Sequence, residues 1–138
     1  MLRLASTAFA VIALAGCTEP APPAPLPPRV LGGVEVSGQT LATGRRAYKA
    51  VCESCHGAAG DGRGRLGVRQ NPKPRDFAKG VIKFASVPAG ELWVDDDVLR
   101  TLRHGLAGTQ MIAIKLPEED LRAVTQYIKT FSPSWARS

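Results

Sequence analysis

The chain has 138 residues, enough for one domain and a leader, and 44% of them are hydrophobic. Three cysteines exclude a disulfide scaffold, because they cannot pair completely and are too few to staple a chain of this length. The net charge of +6 at pH 7 raises nucleic acid as a partner, but the exported character argued next removes it.

Residues 1–16 read as a signal peptide. Arg3 is the single early positive charge, and the Ala-, Leu-, Val- and Ile-rich run behind it is too short to span a bilayer. The run ends in Leu14-Ala15-Gly16-Cys17, which resembles a bacterial lipobox, where cleavage precedes the cysteine and the cysteine is acylated. Lipidation gives the lone Cys17 a use and accounts for the odd cysteine count. Thr18 rather than Asp follows, which by resemblance to Gram-negative lipoproteins implies an outer-membrane anchor facing the periplasm.

Residues 17–36 are expected to be the lipidated cysteine and a proline-rich linker. The run from Pro20 to Pro28 lacks the N–H donors of helix or sheet and favours an extended polyproline conformation. At about 3.1 Å per residue, Thr18 to Val36 would reach roughly 50–60 Å. Gly32 and Gly33 would soften its far end.

Residues 37–138 form the expected domain, and it reads as mostly helical. A first helix runs from about Gln39 to Cys55, with Leu41, Tyr48, Val51, Cys52 and Cys55 on one stripe. Residues 57–80, rich in Gly, Pro, Arg and Lys, read as loop. Asp95, Asp96 and Asp97 suit a helix start that continues through Val98, Leu99 and Leu102 and stops near Gly105. A last helix starts with Pro117 at its first position. Its apolar face is Leu121, Val124, Tyr127, Ile128 and Phe131. Little alternation specifies a sheet.

The chemistry sits in Cys52-Glu53-Ser54-Cys55-His56. Cys-x-x-Cys-His is the spacing of covalent c-type haem attachment. Two cysteines three apart on one helical face can reach both vinyl groups of one porphyrin, and the next histidine can bind the iron. Two other readings exist. A thioredoxin-like redox pair wants a βαβ setting, which is not visible. A zinc site would need Cys52, Cys55, His56 and His104 to converge, although Cys55 and His56 are neighbours whose side chains diverge. One covalent haem c is the favoured cofactor. A core built around a haem would leave the apoprotein poorly folded, and the low aromatic content agrees.

With these residues the domain resembles the class I cytochromes c. That family carries a Gly eight residues before the first haem cysteine and an aromatic four residues later; Gly44 and Tyr48 stand there. Its last helix has an apolar-x-x-aromatic-apolar-Lys pattern, matched by Val124 to Lys129. Pro74-Arg75-Asp76-Phe77, Arg103-His104-Gly105 and Gly108-Thr109-Gln110-Met111 are similar to a subgroup of bacterial monohaem cytochromes.

The resemblance implies an all-α fold of three to four short helices and long loops around one haem. It implies a single-electron carrier, not an enzyme, with no catalytic residue. Met111, in a Gly-containing loop 55 residues after His56, stands where the family has its axial methionine. His104 is the rival ligand. Ile112 replaces the proline that often follows that methionine, which implies a less rigid loop and a weaker iron–sulfur bond. Arg75 and Trp93 are candidates to hydrogen-bond a haem propionate. Arg63, Arg65, Arg69, Lys73, Arg75, Lys79 and Lys83 would form either a solvated loop surface or a ring that steers a redox partner with an acidic docking surface. Two further functions stay open: an electron-transfer subunit of a reductase, oxidase or dehydrogenase complex, and a haem protein whose methionine detaches to give peroxidase or sensor behaviour.

Overall fold

The computed structural model describes residues 21–137; the leader and Cys17 lie outside the described residues. The elements are a hairpin of β1 (Arg29–Leu31) and β2 (Val34–Val36), then helices α1 (Gly38–Val51), α2 (Glu53–His56), α3 (Asp95–His104), α4 (Glu118–Lys129) and α5 (Ser134–Arg137). Short 3-10 turns at Gly67–Arg69 and Phe77–Lys79 punctuate the long loop after α2. The architecture is the mostly helical one expected.

Local chemistry explains the helix starts. Ser37 caps α1: its hydroxyl accepts from Thr40 N at 3.1 Å. The first turn of α3 holds Asp95, Asp96 and Asp97, at the end where the helix dipole favours negative charge. Asp97 does more, because it is fully buried. It accepts from Ser86 N at 3.0 Å and Ser86 Oγ at 3.1 Å, and pairs with Arg100 at 3.2 Å. Burial pushes its carboxyl up, but these bonds outweigh it and hold the group below the usual carboxylate range. Pro117 is the cap of α4 rather than its first helical residue, since its ψ of 149° is extended.

The core forms where α1 crosses α4. A Cβ on Gly44 would collide with the Ala123 carbonyl and meet Tyr127 Cβ at 2.7 Å, so only glycine lets the two backbones approach this closely. Leu41, Ala47, Tyr48, Leu121, Val124 and Ile128 are buried around this crossing, and Leu99 and Leu102 of α3 complete the cluster. Val51 departs from the expected stripe and is 39% exposed. Tyr48 packs against Tyr127 and Phe131, with ring centroids 5.6 and 5.0 Å away. Its hydroxyl donates to Gly57 O at 2.6 Å, which ties the last turn of α1 to the residue after His56.

Two segments differ from the sequence reading. Residues 29–36, assigned there to the linker, are an antiparallel hairpin whose Leu31 and Val36 are 2% and 5% exposed. Gly32 and Gly33 form its turn with φ of 63° and 73°, the two positive angles that a tight hairpin turn requires. Strands of three residues are too short for alternation to be read. The chain also continues past the apolar stripe that ends at Phe131. Helix α5 buries Trp135, whose ring lies edge-on to Trp93 at 5.0 Å. Gly32 N donates to Trp135 O at 2.7 Å, which closes the two ends of the domain on each other.

Gly44→Ala should therefore destabilise the holoprotein by about 1–3 kcal/mol, the range for overpacking. At an exposed helix position the same change would stabilise by about 1 kcal/mol, so the sign in a guanidinium titration decides. Tyr48→Phe leaves the ring packing but removes the bond to Gly57. It should cost about 1 kcal/mol with no change in the slope of the titration.

Candidate haem site

Cys52 caps the C-terminus of α1, with its N–H on Tyr48 O at 2.8 Å, and α2 carries the rest of the motif. Cys52 is buried and Cys55 is half-buried, and both are free thiols. Burial, with the Cys55 thiol adding to it, pushes Cys52 up to about 12. The motif runs from the end of α1 into α2 and no βαβ unit surrounds it among the described residues, so the thioredoxin-like reading finds no support here. Nor does zinc: no group of three or more His, Cys, Asp or Glu side chains converges on a metal-ion position among the described residues.

His56 is held from two sides. Its Nδ1 lies 3.1 Å from Arg75 O, a carbonyl that can only accept, so the ring proton sits on Nδ1 and Nε2 keeps its lone pair. Its ring stacks on Phe77 with centroids 4.6 Å apart and planes 16° off parallel. Phe77 in turn lies 6.4 Å from Phe131. Burial lowers the His56 pKa, and the Arg75 carbonyl only partly offsets this, so the imidazole is neutral at pH 7. A neutral imidazole with a fixed tautomer and a free Nε2 is a metal ligand in waiting.

The sequence reading missed the part played by the Arg75 backbone and by Phe77. It named Arg75 for its side chain. That side chain does bond within the loop, with Nε donating to Val81 O at 2.9 Å. A carbonyl has no sequence signature, so only the fold could reveal it.

A cleft of about 490 Å³ opens beside the motif, lined by Arg65, Leu66, Arg69, Gln70 and Gln110. Gln70 Nε2 reaches Cys55 Sγ at 3.3 Å, which places the cleft at the thiol. Gln110 adjoins Met111, so the Met-bearing loop faces the same opening. Met111 is half-buried against the core. Its backbone is fixed at both ends: Thr109 Oγ1 accepts from Met111 N at 3.0 Å, and Leu106 N donates to Met111 O at 2.8 Å. Leu66, Val68 and Ile112 are 47%, 50% and 72% exposed, apolar surface that a flat apolar group could cover. His104 is the last residue of α3, with an exposed side chain.

Trp93 is 1% exposed, and its buried Nε1 has no acceptor among the described residues. A buried donor without an acceptor costs about 1–3 kcal/mol, so an acceptor from a bound group fits it. Two thiols three apart, an imidazole with a free nitrogen, a cleft that sets two arginines beside Leu66, and an orphan indole N–H suit a covalently held, acid-bearing porphyrin.

The charges around the cleft are distributed unevenly. Arg63, Arg65, Arg69, Lys73, Lys79 and Lys83 are exposed, and none is in an ion pair among the described residues. The helical half pairs its charges instead: Arg46 with Asp120, Arg103 and Arg122 with Glu118, and Lys129 with Asp95.

Comparison with known proteins agrees with this geometry. Residues 39–128 match the family described as cytochrome c oxidase, cbb3-type, subunit III. Among solved structures, a chain of the Kuenenia stuttgartiensis reducing HAO-like protein complex Kustc0457/Kustc0458 superposes with a TM-score of 0.64 at 39% identity. That match covers 67% of this chain and 42% of the other, so this chain spans less than half of that neighbour's length. No curated protein sequence matches it. The chain belongs to the cytochrome c family of the cbb3-type subunit III description, a class I-like c-type cytochrome domain that transfers electrons through a c-type haem.

Proposed function

We propose that this chain is a one-electron carrier of the periplasm, held at a membrane through acylated Cys17, with its haem ligated by His56 and Met111. The observation that carries the reading is the His56 geometry: Nδ1 is committed to Arg75 O, so Nε2 is the one nitrogen left for iron. Cys52 and Cys55 supply the thioether links. When bound, the haem provides an iron that alternates between ferric and ferrous states.

The protein's part is to tune and to guard. Arg75 O raises the basicity of His56 by accepting its proton-bearing side. A Met111 thioether favours a higher potential than a second imidazole and fills the position where oxygen would otherwise bind. The bonds at Thr109 and Leu106 hold that loop despite Ile112 standing where a proline often follows. Trp93 Nε1 would donate to a propionate, and the free guanidinium N–H groups of Arg75 are available to a second one. The unpaired basic loops favour a redox partner with an acidic docking surface. Such charges raise encounter rates more than affinity, so electron transfer should slow as salt rises.

A second reading, an electron-transfer subunit of a larger reductase-like assembly, is favoured by one finding. The solved neighbour belongs to a reducing HAO-like complex. Copurification under mild detergent separates a stable subunit from a free carrier.

Acid-acetone should leave the haem on the wild-type chain, and the Cys52→Ser, Cys55→Ser double variant should lose most of the holoprotein yield. Extractable haem would end the assignment. Met111→Ala should lower the potential, open the iron to rapid cyanide binding, and abolish the weak ferric absorption at the red end of the spectrum that reports iron–sulfur bonding. If that band persists, His104→Ala becomes the informative variant. Trp93→Phe keeps the ring but removes the indole donor, so it should alter the potential and its pH dependence with little change in the axial-ligand bands.

A further inference from the structure

The proline-rich segment is not free of the domain. Leu26 N donates to Gly38 O at 3.0 Å, and the Leu26 side chain packs against the core cluster. A Cβ on Gly38 would collide with the Leu26 carbonyl, so the segment lies flush on the start of α1. Gln39 Nε2 donates to Pro23 O at 3.4 Å. Ala21, Pro22 and Pro23 form one wall of a groove of about 720 Å³, whose other walls include Thr43 and Arg46 of α1 and Arg122 of α4. The groove's arginines are already paired, Arg46 with Asp120 and Arg122 with Glu118, so it offers no unpaired cation for an anionic ligand.

Two lengths follow. Six residue steps separate Cys17 from Pro23, a contour of at most about 21 Å, against the roughly 50–60 Å of a wholly free linker. The strap also leaves the domain at the first turn of α1, whereas Cys52 stands at the other end of that helix. Fourteen residues at 1.5 Å put the two ends about 21 Å apart.

We infer that residues 23–28 are a docked strap that fixes the orientation of the anchored domain, presenting the haem end away from the lipid to a redox protein approaching from the aqueous side. The orientation rests on the proposed acylation of Cys17; the docking does not. A short leash fixed at the far end of α1 turns that end toward the bilayer. The cleft and the unpaired Arg63, Arg65 and Arg69 then face water, where an acidic soluble partner can reach them.

The strap itself supplies the reporters. Among residues 20–28 only Ala21, Ala24 and Leu26 carry a backbone N–H. In the holoprotein the Leu26 amide should exchange at least a hundredfold more slowly than that of Ala24. Gly38→Ala, which places a methyl where the Leu26 carbonyl lies, should erase that difference while leaving the haem spectrum unchanged. Comparable exchange at Leu26 and Ala24 in the wild type would overturn the docking.

For orientation, the mature holoprotein is coupled through Cys17 to a maleimide-headgroup lipid in phosphatidylcholine vesicles. Its reduction is timed with a lipid-tailed hydroquinone and with soluble ascorbate. The lipid-confined reductant should act at least tenfold faster on Gly38→Ala than on wild type, with ascorbate rates equal. Equal rates from the bilayer side for both chains would overturn the orientation. This arm uses a chemical anchor, so it stands apart from acylation in the cell. Palmitate labelling and the membrane fractionation of Cys17→Ser test acylation separately.

Discussion

Everything at the haem end hangs on how closely α1 and α4 approach at Gly44. That contact sets the height at which Tyr48 enters the core, and Tyr48 carries the next constraint through its bond to Gly57. From the same crossing a run of rings leads to the proposed ligand: Tyr127 on α4, Phe131 in the turn just past it, Phe77 in the loop, then His56. The imidazole is thus positioned by packing from one side and by the Arg75 carbonyl from the other. A side chain held by both stacking and a hydrogen bond has little rotamer freedom left, so little ordering is needed when it takes a metal.

Electrostatics divide the molecule along the same axis. In the helical half, built on α1, α3 and α4, Arg46, Arg100, Arg103, Arg122 and Lys129 are paired with carboxylates. The loop half, built around the cleft, leaves its cations exposed to water. The exposed ion pairs contribute little stability each. Their effect is on the field: with these cations compensated, Arg63, Arg65, Arg69, Lys73, Lys79 and Lys83 give the loop half the denser unpaired positive charge.

The parts legible in the sequence were those with strong local signals. Cys52 to His56 carried its meaning in five residues, and Gly44 with Tyr48 and Tyr127 announced a helix crossing that the structure contains. Helix α3 was readable from its acidic start and glycine stop. Other features were hidden for physical reasons. The hairpin has strands of three residues, and its two glycines resemble a linker until their positive φ angles are known. Proline-rich composition signals an extended chain but says nothing of what that chain lies against, so the seat of Leu26 on Gly38 was invisible. The acceptor for His56 is a backbone carbonyl, which any residue type could have offered. Trp135 stood beyond the last periodic stripe, in a four-residue helix too short to show a period.

The seam between Trp93 and Trp135 has an optical consequence. These are the two tryptophans of the whole chain, and they touch each other where the hairpin and α5 meet. Indole emission therefore samples one small region, bounded by both ends of the domain through the Gly32–Trp135 bond. Fraying of either end parts the same pair of rings and, with Trp93 drawn away from the proposed haem, relieves the quenching of their emission.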